Sequence, residues 1–357
     1  MHSSANTFDL IKSVLSRGPR GLGTNANNIA AIMNRPDEES DTELRHRQPY
    51  RDDAALGEEL NERLLRWAES IGLYKGHLDY LRKCNFGRCV MLTFPFSEDR
   101  ERLFFAGQAN VSLFGVDDYF VDDERVGMTH DMVGRNLSLA MSAIDEPYLT
   151  KKYNDDTDKG MSAHPVLIAL REYIANAERL GTPQQVARLR HEDMCLFVGM
   201  CHEASWRMNK MIAPVWEYLG GRQMNGLTTC IAMVDIVEAY ELPHNIYSLP
   251  EVRQVVKIAG LITVLVNDLV SSKKEEEAAV NQFGIREAIQ NEVGCTMEEA
   301  HRMGIRLHNE LFRIFEDESA KLMIFATPEL RRFLIGVEAW IAGNYRWHMT
   351  SDRYSGK

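Results

Sequence analysis

Residues 251–275 run EVRQVVKIAGLITVLVNDLVSSKKE. From Val255 to Val270 a helix would be apolar on nearly every face, with Thr263, Asn267 and Asp268 as the main interruptions. Such a helix belongs inside a bundle, because it has no face to give to water. Its longest apolar run, Ile258–Val266, is far too short to span a bilayer. Asn267, Ser271 and Glu275 fall at i, i+4 and i+8. At about 100° and 1.5 Å per residue they drift only about 80° and form a stripe roughly 12 Å long. An amide oxygen, a hydroxyl and a carboxylate are hard oxygen donors of the kind magnesium takes. Bonding back to the main chain accounts for one such residue in a helix. Three of them aligned along an apolar helix ask for a ligand.

Working outward, the same helical grammar recurs. Leu56, Leu60, Leu64, Trp67, Ala68 and Ile71 are spaced for an amphipathic helix, with an aspartate available as its cap in Arg51-Asp52-Asp53. Further patterns cover 99–121, 133–144, 165–179, 183–210, 224–240, 251–275, 297–318 and 328–350. Breaks are expected at Pro95-Phe96, Asp145-Glu146-Pro147, Gly181-Thr182-Pro183, Gly220-Gly221 and Leu242-Pro243. Alternating strand patterns and 20–50-residue repeats are absent. The expected fold is all-α: one domain over residues 51–357, a helical bundle of roughly ten helices with the active site in its core. Residues 1–50, rich in Gly, Asn, Pro and charge, read as a mostly flexible arm.

The chain of 357 residues carries a net charge of −11, so its bulk field does not attract nucleic acid. An anionic small molecule would need local cations. The six cysteines contain no C-x-x-C pair and read as reduced core thiols. The polar N-terminus has no signal-peptide core. A soluble, cytoplasmic protein without a membrane partner is expected.

A second constellation lies at 117–124, Asp-Asp-Tyr-Phe-Val-Asp-Asp-Glu. It follows Leu103–Val121, which is also apolar on most faces. Five carboxylates in eight residues repel one another. At a helix C-terminus the dipole adds about 0.3–1 kcal/mol against each. A divalent cation would relieve both problems.

Together the two motifs resemble those of the bacterial class I terpene cyclases, a D-D-x-x-x-D/E element and an N-D-x-x-S-x-x-x-E triad. The likeness includes Arg222 in GGRQMNG, Lys274 beside the triad glutamate, and the C-terminal Arg353-Tyr354 pair. It implies the class I terpenoid synthase fold and three Mg2+ ions. Asp117, Asp118 and Asp122 become candidate ligands, with Asp117 bridging two ions and Asp118 also suited to accept from an arginine. Asn267, Ser271 and Glu275 would hold the third. Arg222, Lys274, Arg353 and Tyr354 would donate to the diphosphate as the catalytic groups. Asn225, Gly226 and Phe114 would join them in binding substrate, and a flexible Gly226 would carry a carbonyl toward it. Phe105, Trp206 and Trp340 are further candidates to face a carbocation.

RGPRGLGTNANNIAAI, YRDDAALGEELNERLLRWAESIGLY and DDYFVDDE narrow the resemblance to the 2-methylisoborneol synthase branch, which includes 2-methylenebornane synthases. That implies 2-methylgeranyl diphosphate as substrate, a C11 bornane-type product, coupling to a geranyl diphosphate C-methyltransferase, and room for a homodimer. A cyclase using geranyl or farnesyl diphosphate is the alternative within the family. Prenyl chain elongation generally uses two aspartate-rich motifs, and the second is an Asn-Ser-Glu triad here. A di-metal carboxylate bundle needs paired Glu-x-x-His elements. The chain offers Glu43/His46, Glu241/His244 and Glu298/His301, none on an apolar helix. A non-catalytic helical binding protein is the remaining reading.

Overall fold

Asp53 accepts a hydrogen bond from the Leu56 amide (3.0 Å) and starts the first helix, α1 (Ala54–Ser70). In this computed structural model the described residues are 42–122, 130–146, 150–278 and 284–352, apart from the side chains at 122, 130, 152 and 271–278. Leu56, Leu60, Leu64, Leu65 and Ala68 form the buried face of α1. Each buried leucine contributes about 1.5–3 kcal/mol.

The chain continues through α2 (Leu78–Cys84), α3 (Phe86–Thr93) and α4 (Arg100–Val116), which widens into a π-turn at Asp117–Asp122. Then come α5 (Val133–Ile144), α6 (Lys151–Met161), α7 (Pro165–Leu180) and α8 (Pro183–Asn209). The middle of the chain breaks into α9 (Val215–Met224), α10 (Thr228–Ala232), α11 (Val234–Val237) and α12 (His244–Tyr247). Last are α13 (Pro250–Ala278), α14 (Ile285–Val293), α15 (Met297–Phe325) and α16 (Pro328–Thr350). Among the described residues every regular element is helical, and no helix is long and apolar enough to cross a membrane.

The expected inner helix is α13. Val252, Val255, Val256, Ile258, Ala259, Leu261, Ile262, Leu265 and Leu269 are all buried, and α9, α10, α15 and α16 surround it. Short polar caps set several boundaries. Thr182 and Gln185 form a capping box ahead of α8, and Thr296 with Glu299 does the same for α15.

The structure corrects the sequence reading in several places. The apolar pattern at 99–121 is not one α-helix: α4 stops at Val116 and the acidic motif begins the π-turn. Single π-turns within helices are frequent at functional sites. The expected break at Gly220-Gly221 is absent, because α9 runs through both glycines. Gly221 serves close packing there: a Cβ would stand 2.7 Å from His202 Nδ1 and 3.1 Å from the Trp206 ring. The break falls at Asn225–Leu227 instead, where Leu227 takes φ 53°. The single helix expected at 224–240 becomes α10 and α11, and Ala239 at φ 58° closes the segment. Part of the arm ahead of Arg51 packs on the bundle. The Arg45 amide donates to Asn309 Oδ1 (2.7 Å), Arg47 pairs with Glu316 (2.8 Å) and Glu338, and the His46 ring stacks on Tyr345 at 4.4 Å. Residues 42–50 therefore lie along α15 and α16. Residues 1–41, the rest of the expected arm, are outside the described residues.

Beneath the inner helix lies a buried polar layer. Asp193 on α8 accepts from Tyr173 (3.1 Å) and Thr229 (2.9 Å). Burial nevertheless raises its pKa to about 7, against the lowering effect of those two donors. In the fold the carboxyl keeps its proton up to near neutrality, whereas unfolded it ionises near pH 3.8. The folded state thus binds the extra proton between those values, and stability falls as pH rises through that window. Between pH 5 and pH 8 this one group is expected to remove roughly 2–3 kcal/mol. Urea unfolding of wild type and Asp193→Asn at both pH values checks this. The variant should lose correspondingly less stability over the interval, and parallel pH profiles would exclude the effect.

Candidate active site

The two motifs meet through the C-terminal helix. Phe114, half-buried on α4 one turn before Asp117, packs against Phe86 (ring centroids 4.8 Å) and presents its edge to Trp347 at 6.1 Å. Trp347 lies beside His348, ring centroids 4.9 Å apart. His348 Nε2 in turn lies 3.3 Å from Nδ2 of Asn267 on α13. Trp347 is anchored from behind, its Nε1 donating to the Cys84 carbonyl (2.9 Å). The acidic end of α4, the first triad residue and the end of α16 therefore occupy one end of the bundle.

Asp117 and Asp118 are both half-buried at the start of the π-turn. Asp118 accepts from Tyr74 (2.6 Å) and more distantly from Tyr80 (3.4 Å). The Tyr74 ring also meets Tyr119 at 5.4 Å. These contacts fix the turn and orient its carboxylates. The Asp122 side chain lies outside the described residues.

On the other flank Arg222 is gripped by two acids. Its Nη2 donates to Asp268 Oδ1 (2.7 Å) and its Nη1 to Glu203 Oε2 (3.1 Å). Burial alone would depress the guanidinium pKa, but Asp268 and then Glu203 outweigh it and hold the group well above its usual value. Asp268 further accepts from Tyr218 and from the Ile285 amide (3.1 Å). Burial first, and the neighbouring Asp268 second, push the Tyr218 phenol well above its usual pKa, so it stays a donor. Glu203 Oε2 also accepts from Asn225 Nδ2 (2.9 Å), tying Arg222 to the helix break. At that break Gly226 is buried against Gly260 of α13; a Cβ on Gly260 would come within 2.9 Å of the Gly226 carbonyl oxygen. Gly226 and Gly260 thus let the break pack closely on the inner helix.

Of the triad, only Asn267 has a described side chain. Ser271, Lys274 and Glu275 lie on the α13 backbone, with side chains outside the described residues, and Arg353 and Tyr354 are wholly outside them. Three aromatic candidates have structural surroundings. Phe105 is buried and stacked on Tyr173 (5.9 Å), and Trp340 is buried. Trp206 donates to Glu217 (2.8 Å) beside His202. Sequence reading missed Asp268, Glu203, Tyr218 and His348. Asp268 had one available signal, its place inside the triad motif; the others had none.

Carboxylates at the end of α4 and an amide oxygen on α13 are hard donors of the kind a divalent cation takes, and Arg222, paired with Asp268 on α13, is a cation of the kind a phosphoryl group takes. The comparisons agree. The profile described as terpene synthase family 2, C-terminal metal binding, matches residues 108–313. A 2-methylisoborneol synthase of Saccharopolyspora erythraea is 35% identical over 83% of this chain and 84% of its own length. One from Streptomyces griseus is 31% identical over 95% of this chain and 79% of its own length. Among solved structures, 2-methylisoborneol synthase from Streptomyces coelicolor A3(2), in complex with Mg2+ and 2-fluoroneryl diphosphate, superposes with a TM-score of 0.84. That match has 30% identity and covers 90% of this chain and 98% of the other. The chain belongs to terpene synthase family 2 and is a class I terpene synthase.

Proposed function

We propose that this enzyme ionises 2-methylgeranyl diphosphate and cyclises the resulting cation to a C11 bornane-type product such as 2-methylisoborneol or 2-methylenebornane. The observation that carries the reading is the joining of the acidic motif and Asn267 at one end of the bundle through Phe114, Trp347 and His348. The named 2-methylisoborneol synthases support the substrate and product class. The solved structures with Mg2+ and diphosphate analogues support the metal.

Asp117, with Asp118 and Asp122 beside it, would hold two of three Mg2+ ions, and Asn267, Ser271 and Glu275 the third. Bound there, the metal neutralises charge as it develops on the departing diphosphate. Arg222, Lys274, Arg353 and Tyr354 donate to the diphosphate oxygens and hold the leaving group in place. The allylic C–O bond breaks, and both of its electrons leave with the diphosphate oxygen. The Phe114 ring faces the organic cation from the acidic side. Water capture ends the reaction as an alcohol, and proton loss ends it as an alkene. The substrate requires a C-methyltransferase acting on geranyl diphosphate to precede this enzyme. A homodimer is compatible with the reading.

Competition between 2-methylgeranyl and geranyl diphosphate tests substrate choice. One methyl group in an apolar pocket is worth about 10- to 200-fold. We expect kcat/KM to favour the methylated substrate by at least about tenfold. Equal values, or a preference for geranyl or farnesyl diphosphate, would assign the enzyme to the mono- or sesquiterpene cyclases instead.

A further inference from the structure

We infer that His348 is a positioning residue for the metal site, fixing which atom of the Asn267 amide faces the cation; this rests on the proposed role of Asn267 as a ligand. His348 is buried near the end of α16. Its Nδ1 lies 2.9 Å from the main-chain oxygen of Asn344, one turn earlier. A carbonyl can only accept, so Nδ1 carries the proton. In a neutral imidazole Nε2 is then an acceptor. The group 3.3 Å from Nε2 is Asn267 Nδ2, a donor. The two bonds set each other: Asn344 selects the tautomer, and the tautomer selects the amide orientation. Nδ2 is turned toward α16, and Oδ1, the only atom of this side chain that a magnesium ion takes, is turned away from it. An amide turned the other way would offer the metal an NH2 group, which cannot coordinate it. A histidine used in this way needs no contact with substrate. Trp347, donating to the Cys84 carbonyl, ties this end of α16 to the end of α2.

The test reads Mg2+ binding in the presence of inorganic diphosphate by titration calorimetry, with no turnover. His348→Leu removes the acceptor, and the half-saturating Mg2+ concentration should rise by about 10- to 100-fold, as for other supporting partners of metal ligands. His348→Gln restores an acceptor oxygen and should stay within about threefold of wild type. Asn267→Asp has two equivalent oxygens, so orientation ceases to matter. In that background His348→Leu should not weaken binding further. Equal weakening in both backgrounds, or none in the wild-type background, overturns the inference. Should His348→Leu fail to fold, 15N-histidine spectra of the wild-type protein decide, with the His348 signal identified by its loss in His348→Gln. A proton on Nδ1 supports the inference, and a proton on Nε2 overturns it. Wild type that binds no Mg2+ with diphosphate would overturn the proposed function as well. Normal wild-type binding with an insensitive His348→Leu overturns this inference alone.

Discussion

Replacing Asn267 by alanine should lower kcat/KM by about a thousandfold, about 4 kcal/mol of transition-state stabilisation, while the protein stays folded. The side chain is half-buried on α13 and its amide meets His348 at 3.3 Å, so truncation removes polar contacts and no large apolar surface. A stability loss of about 1 kcal/mol is the expected structural cost. The catalytic loss is far larger because a metal ligand acts on charge that appears only as the C–O bond breaks. Steady-state kinetics beside urea unfolding separate the two effects. Activity within tenfold of wild type would remove Asn267 from the metal site. Loss of activity matched by loss of folding would make its role structural.

Arg222→Ala should damage both stability and activity. Asp268 and Glu203 each give an oxygen to this guanidinium, and the Arg222 and Asp268 side chains are 13% and 7% exposed. Removing the cation takes from Asp268 its ion-pair partner in the interior, while Glu203 keeps Arg207 (2.6 Å); deleting one partner of a buried pair costs about 3–5 kcal/mol. The same deletion takes a donor from the diphosphate, worth about 100- to 1,000-fold in kcat. Arg222→Lys separates the contributions. An ammonium keeps the charge but cannot span Asp268 and Glu203 as a planar fork, so much of the stability should return and little of the activity. Full activity in the lysine variant would show that Arg222 serves the fold alone.

What the sequence disclosed follows from the reach of each interaction. The inner helix was legible because burial on all sides leaves a local mark, an apolar run with no polar face at 255–270. Asn267 stood out for the same reason. Helices α2 and α3 were not read, since each is short and a single left-handed residue, Asn85 at φ 51°, separates them. The paired glycines at 220–221 looked like a stop signal, yet what Gly221 accommodates is His202 and Trp206 on another helix. Asp268 is adjacent to Asn267 in sequence, but its partners Arg222 and Tyr218 lie 46 and 50 residues away. Glu203 and His348 belong to networks that exist only once α8, α9, α13 and α16 are packed. A single sequence carries no trace of such pairings. The acidic run was conspicuous, but its π-turn and its tyrosine partners were not.

The residues at this end of the bundle are expected to ionise an allylic diphosphate rather than merely bind it. The most direct test is to incubate the purified full-length protein with 2-methylgeranyl diphosphate, with and without Mg2+, and analyse the volatile products by mass spectrometry while measuring released inorganic diphosphate. The account predicts Mg2+-dependent release of diphosphate matched by a bicyclic C11 alcohol or alkene. Intact substrate with Mg2+ present, or conversion only to longer prenyl diphosphates, would contradict it.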